Sequence, residues 1–426
     1  MSSTPTICLS CIGDDSLRDI ADDSAEPISC SYCQVGRHGI SLEKLAMIVD
    51  EPLRTYCCHG EYYRPVFRRD SDRRHHRQRG DALDSLLQEE LGIDHDPASD
   101  LIPILKNNDS EGFFDSEQKF HRRDFPNKYA HDWSEFQYRV CHERRFFDDT
   151  ARAYLAEILG EPDSDQANEL PTIELGPGTN IESIFRARRA ESGVKVGAIR
   201  QHPAGELGPP PANVASAGRM NPAGISVFYG ALSEDTAIAE VRPSVGSLVV
   251  IGRFSSSRVL RLLDLTQIGI GFTASIFRSD CKQRMTRLRF LEAFHTLIAR
   301  PVQPHEELIN YIPTQAVAEY VANVLSFDGM LYASAQLGSV PRIPRPTSYS
   351  RLHKLKDKKL GYHNVVLLGA AARVDLGDEP TTAYPELGEG WTLLASPEPA
   401  MLSLCSDSVR CVRITAVSYR HEWTPL

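Results

Sequence analysis

"GRMNPAGISVFYGALSEDTAIAEVR", residues 218–242, decides how the second half of the chain is to be read. Gly224 suits a turn, and the apolar run after it, ISVFYG, reads as a short strand ending near Tyr229. SEDTAIAEV then carries a helix start: Ser233 as N-cap, with Glu234 and Asp235 at the positive end of the helix dipole. Glu240 falls near the other end, where a carboxylate meets the negative end of the dipole at a cost of about a few tenths of a kcal/mol. A residue set against local preference is a candidate for function, although pairing with Arg242 would account for it equally well. Taken alone, the segment is as readily a structural turn, strand and helix as part of a site.

Outward from this stretch, the region from 181 to 426 alternates strands and helices. SLVVIGRF, RVLRLLDL, GMLYAS, HNVVLLG and VRCVRITAVSY are short, rich in β-branched residues and bounded by Gly, Ser or Asp, which predicts strands. RMTRLRFLEAFHTLIAR and TQAVAEYVANVL carry helical periodicity. Without a regular βαβ alternation, the expected class is α+β.

Texture divides the rest. Residues 1–60 form a cysteine-rich module and residues 61–165 a mainly helical domain. The latter opens on the charged stretch RRDSDRRHHRQRGD and includes ALDSLLQEEL and DWSEFQYRVCHERRFFDDTARAYLAEIL as helical patterns. Residues 166–180, rich in Pro, Gly, Asp and Asn, read as a linker. The formal charge of −10 argues against a general nucleic-acid binder. No apolar run approaches the roughly 20 residues of a membrane helix. The polar start MSSTPTICLSC lacks a signal-peptide pattern, so a cytoplasmic protein is expected.

In that compartment the ten cysteines are thiols or metal ligands. Cys8 and Cys11 form one CxxC, Cys30 and Cys33 a second, eighteen residues on. Two knuckles can present four thiolates to one ion, the arrangement of a closed structural zinc site with no open position for catalysis. Cys57, Cys58 and His59 lie just downstream, but adjacent cysteines suit one tetrahedral ion poorly; Cys141, Cys281, Cys405 and Cys411 sit in apolar patterns expected to be core.

Five motifs in order resemble the RES domain: IFRARR with Arg186, GRMNPAG with Arg219 and Asn221, VFYGALSEDTAIAE with Tyr229 and Glu240, FDGMLYAS with Ser334, and HNVVLLG with Asn364. The N-terminal ICLSC, ISCSYC and WSEFQYRVCHERRFF resemble the HEPN-type domain that precedes RES domains in some proteins. The resemblance implies an ADP-ribosyltransferase-like fold and consumption of NAD, by phosphorolysis with inorganic phosphate as co-substrate or by hydrolysis. It also implies toxin or defence biology, with an antitoxin or regulatory protein as partner, and is compatible with a homo-oligomer.

The chemistry makes this residue set intelligible. Cleaving the nicotinamide–ribose bond leaves positive charge on the sugar, which an ionised Glu240 can stabilise. Arg186 and Arg219 can grip the pyrophosphate bidentately. Tyr229 offers a flat face and a hydroxyl, while Ser334 can bond the nicotinamide amide or the incoming phosphate. Arg186, Tyr229, Glu240 and Ser334 are thus the expected catalytic set, and Arg219, Asn221 and Asn364 join Arg186, Tyr229 and Ser334 in binding NAD. No residue declares itself as the phosphate seat, and Phe228 brings no charge there, so water stays open as nucleophile. The absence of GxGxxG argues against hydride transfer on a Rossmann fold.

Each residue has a structural alternative: a basic surface for Arg186, a turn for Arg219, a core ring for Tyr229, a surface ion pair for Glu240, a strand start for Asn364. Rival functions are a protein ADP-ribosyltransferase, a HEPN-type ribonuclease using Arg54 with His59 or Arg69 with His75, and a partner-sensing module.

Overall fold

The computed structural model describes residues 4–33, 35–63, 77–126, 128–267, 274–299, 306–337, 362–377 and 399–418. Two compact units emerge among the described residues: those up to 126 together with 274–289 in one, and those of 128–267, 290–337 and from 362 onward in the other. Compactness therefore cuts the chain at other places than sequence texture does.

In the first unit a three-stranded antiparallel sheet runs in the order Thr6–Cys8, His38–Ser41, Glu26–Pro27. Ser41 caps the helix Leu42–Tyr56 by accepting from the Lys44 amide at 3.3 Å. Leu42, Leu45, Ala46, Val49 and Leu53 recur at helical spacing and are all buried. They share a core with Leu87 and Leu91 of the helix Leu83–Leu91 and Leu101 of the helix His95–Asn107. Each such side chain contributes about 2 kcal/mol by leaving water. Glu90 is buried in this unit and is held bidentately by Arg122 at 2.9 and 2.8 Å.

The second unit is built on a sheet with nine strands among the described residues. Its order is Leu402–Leu404, Leu248–Ser256, Ser183–Ala190, Phe228–Ala231, His363–Leu367, Gly329–Ala333, Leu260–Asp264, Thr172–Leu175, and Arg410–Arg413 also pairs with Leu248–Ser256. Only Leu260–Asp264 with Gly329–Ala333 is parallel; the other pairs are antiparallel, in keeping with a mixed helix and sheet class. The stretch read as a linker thus supplies an edge strand, Thr172–Leu175.

Period-two alternation sends neighbouring residues to opposite faces. Met330 and Val366 join a core with Trp133, Phe136, Tyr154, Phe294 and Val321. Leu331, Val365 and Leu367 point the other way, into a core with Ile184, Phe228, Phe254, Ile199 and Leu207. Both faces are covered by helices: Lys128–Tyr138, Asp149–Leu159 and Ile312–Asn323 on the first, Gly193–Gln201 and Pro203–Leu207 on the second.

One sequence expectation is corrected. The long helical pattern 132–159 is broken after Glu143, and Asp148 starts a second helix. Its carboxylate accepts from the amides of Thr150 and Ala151, both at 3.1 Å, and from Arg139 at 3.0 Å, so it starts a new helix instead of continuing the old one. A π-type turn, Arg139–Glu143, closes the first helix, and Phe147 adopts a φ of +55°. No described helix is long and apolar enough to cross a membrane.

Candidate functional site

Ser233 caps the helix Glu234–Glu240, accepting from the Thr236 amide at 3.3 Å. The helix delivers Glu240 at its C-terminal end, where its side chain is exposed. Oε1 of Glu240 accepts from Ser334 Oγ at 2.6 Å and from Asn364 Nδ2 at 2.8 Å. Two donors on one oxygen offset the unfavourable helix terminus that the sequence places there. Ser334 follows the strand Gly329–Ala333, and Asn364 lies on His363–Leu367; the register setting Tyr332 against Asn364 brings them side by side. Ser334 is fully buried and Asn364 nearly so. Asn364 Oδ1 is buried with no partner among the described residues, and an acceptor left unbonded in such a place costs about 1–3 kcal/mol.

The turn at 218–221 is an internally bonded structure. Gly218 and Asn221 exchange backbone hydrogen bonds, at 2.9 and 3.4 Å. A Cβ on residue 218 would lie 2.6 Å from Asn221 Oδ1 and 2.9 Å from the Tyr229 hydroxyl, so only glycine fits. Tyr229 donates to Asn221 Oδ1 at 3.0 Å and accepts from the Met220 amide at 2.9 Å. Asn221 Nδ2 reaches the carbonyls of Ser216, Pro222 and Ile225 at 3.0, 3.1 and 2.9 Å. Thr314 and Gln315 of the helix Ile312–Asn323 bond the carbonyls of Arg219, Gly218 and Asn221. The polar atoms of Asn221 and the Tyr229 hydroxyl are therefore committed to holding the turn, and what the turn presents is Arg219, its guanidinium carbon 5.0 Å from the Tyr311 ring centre. Burial pushes the Tyr229 phenol up to about 12.

Arg186 pairs with Gly252 across the sheet, on the same side as Ile184 and Arg188. The strands Ser183–Ala190 and Phe228–Ala231 share one paired position, Phe185 with Ala231, and part beyond it. The Arg186 guanidinium lies 5.0 Å from the Phe228 ring centre, and its Nη1 is buried without a hydrogen-bond partner among the described residues. Burial first, then the charge of Arg188, pulls Arg186 down to about 10, so it stays a cation at neutral pH. A buried N–H left without a partner is costly, and an anionic ligand would repair it.

Arg186 and Glu240 do not touch. Two half-buried phenols lie within range of their charges, Tyr229 near Arg219 and Arg186 and Tyr332 near Glu240 and Arg219. Burial raises Tyr332 well above its ordinary range, so it is a neutral donor. Tyr332 and Tyr311 are members of this group that the sequence reading did not name. Tyr332 stands inside the FDGMLYAS motif, whereas Tyr311 carried no signal. A narrow void elsewhere in the unit is lined by Trp133, Leu155, Phe290, Phe294 and other apolar side chains, with no group capable of chemistry.

The ribonuclease pairs fare differently. Arg54 is bonded to Asp50 and Asp109 at 3.0 and 2.8 Å and lies over the rings of Phe113 and Phe114. His59 donates from Nε2 to the Phe113 carbonyl at 2.8 Å. Both are engaged in local structure, while Arg69 and His75 lie outside the described residues.

The four knuckle cysteines do meet. The sulfurs of Cys8, Cys11, Cys30 and Cys33 all lie within 4.8 Å of one another, with Cys8 to Cys11 at 3.6, Cys8 to Cys33 at 3.5 and Cys11 to Cys30 at 4.0 Å. Thiolates around one tetrahedral ion stand about 3.8 Å apart, so this group can hold a metal. The Gly36 amide donates to Cys33 Sγ at 3.3 Å and, with the Val35 amide, pulls that thiol down to about 6. A Cβ on Gly36 would come within 2.2 Å of Cys8 Sγ.

Residues 184–343, which contain Arg186, Arg219, Tyr229, Glu240, Tyr332 and Ser334, match the RES domain. No curated protein and no solved structure matches the chain.

Proposed function

We propose, from the RES domain at residues 184–343 and its clustered polar residues, that this protein consumes NAD by cleaving the nicotinamide–ribose bond. The observation that carries the reading is the convergence of Ser334 and Asn364 on the Glu240 carboxylate. In this proposal the C–N bond breaks, its electron pair leaves with nicotinamide, and nicotinamide departs neutral. Glu240 stabilises the cation left on the ribose, and phosphate or water then attacks the same carbon. Arg186 binds the pyrophosphate, whose oxygens would satisfy its lone Nη1. Arg219 stands on the turn that Tyr229 and Asn221 hold, beside Tyr311.

An ADP-ribosyltransferase-like fold belongs to the same proposal, as does structural zinc at Cys8, Cys11, Cys30 and Cys33. The sulfur spacing and the amide donors to sulfur support the ion, whose closed ligand set would stabilise the first unit and leave catalysis to the second.

The deciding experiment is mass spectrometry of products after incubation with NAD, with and without phosphate. Free nicotinamide with ADP-ribose 1″-phosphate establishes phosphorolysis, and nicotinamide with ADP-ribose establishes hydrolysis. ADP-ribose carried on a macromolecule points to a transferase, and intact NAD under all conditions defeats the proposal.

A further inference from the structure

The sequence reading placed Ser334 against the ligand, and its bonding argues otherwise. A serine hydroxyl has one donor and two lone pairs. The Ser334 donor goes to Glu240 Oε1 at 2.6 Å, a charge-assisted bond, and the hydroxyl oxygen accepts from the amides of Gln336 at 3.2 Å and Leu337 at 3.4 Å. Its capacity is full, and it is buried to 0% exposure. Asn364 supplies the second donor to the same oxygen, so Oε1 is fixed at two points, from the ends of two neighbouring strands. Glu240 itself is exposed.

We infer that Ser334 is a positioning residue: with Asn364 it clamps Oε1 of Glu240 so that Oε2 is presented to the ligand, and Ser334 makes no ligand contact of its own. The role of the presented oxygen rests on the NAD reading; the clamp does not. A carboxylate at a helix end has several rotamers open to it, and two donors select one. Misplacing a catalytic group by about 1 Å costs on the order of 100-fold in rate.

The test uses the full chain and its Ser334→Ala, Ser334→Thr and Asn364→Ala variants. With NAD, Ser334→Ala should lower kcat by about 10- to 100-fold while KM stays within about twofold, and Ser334→Thr should recover most of the loss. In a Glu240→Gln background, Ser334→Ala should have little further effect, because the side chain it positions no longer carries the catalytic charge. A KM increase with kcat unchanged, or an undiminished effect in the Glu240→Gln background, assigns Ser334 to the ligand and overturns the inference. A second readout needs no turnover. With 13C-labelled glutamate, the Glu240 side chain should be ordered in the wild type, mobile in Ser334→Ala and Asn364→Ala, and ordered again in Ser334→Thr. Equal order in wild type and both alanine variants overturns the clamp even if the wild type ignores NAD; order lost as expected in a protein inert to NAD retains the clamp and discards the NAD reading.

Discussion

The Arg186 guanidinium lies 5.0 Å from the Phe228 ring centre, with Nη1 buried and unbonded among the described residues. Ring and cation attract, but a ring face does not replace the hydrogen bonds that a buried N–H has given up. Removing this charge should therefore help the fold and harm the ligand. Arg186→Met is expected to raise stability by about 1–2 kcal/mol, read by urea unfolding, and to cut NAD consumption at least about 100-fold. A destabilised Arg186→Met would mean that the guanidinium is satisfied in the free protein.

Glu240→Gln keeps the size of the side chain and a possible bond to Ser334 but removes the negative charge. Nicotinamide release should fall by about 100-fold or more, with the melting temperature nearly unchanged. Chromatographic assay of nicotinamide checks the first part and calorimetry the second.

Tyr229→Phe separates the ring from the hydroxyl. The Met220 amide would lose its acceptor and Asn221 Oδ1 its donor, in a buried setting, for a loss of about 1–2 kcal/mol. Because Gln315 ties the same turn from the helix Ile312–Asn323, Gln315→Ala should loosen it in the same sense. Both variants should raise KM for NAD by displacing Arg219, and faster amide exchange at Met220 and Asn221 would locate the cause in the turn.

Metal analysis should find about one zinc per chain, with chelation lowering the melting temperature. Gly36→Ala is the sharper variant, since it changes no ligand but sets a carbon within 2.2 Å of Cys8 Sγ. It should lose the ion as completely as Cys33→Ser does. Full zinc in Gly36→Ala would show that the knuckle closes in another way.

Glu89 gives a pH signature to the first unit. Partial covering of its carboxyl, with the charges of Glu90 and Asp81, pushes it from 4.5 up to about 7 although the residue reaches solvent. A folded-state value above the unfolded one favours folding while the group is protonated; that contribution is lost as pH rises from about 4.5 through about 7. Glu89→Gln should therefore match the wild type near pH 4 and exceed it in melting temperature at pH 8. Parallel curves across this range would exclude Glu89 as the cause.

The chain's local grammar determined a good deal by itself. Ser233 does cap the helix carrying Glu240, and the predicted strands around 228–231, 248–256, 260–264, 329–333 and 363–367 form, because capping and β-branched alternation act within a few residues. The two CxxC pairs were legible for the same reason: each knuckle is local, and one short closure brings them together. The break before Asp148 is hidden in the sequence because helical periodicity runs through it; only the side chain's bonds to Thr150, Ala151 and Arg139 show that it starts a new helix.

What tertiary structure decided was the use of each polar atom. The motifs nominated Tyr229, Asn221 and Ser334 as ligand contacts, yet their hydrogen-bonding capacity is taken up by the turn and by Glu240. Tyr311 entered the group only through its stacking with Arg219. Glu240 and Ser334 are 94 residues apart, and their 2.6 Å bond depends on strand register. A residue type states which bonds a side chain can make; only the packed chain, which leaves each buried donor few partners in reach, settles which bonds it does make.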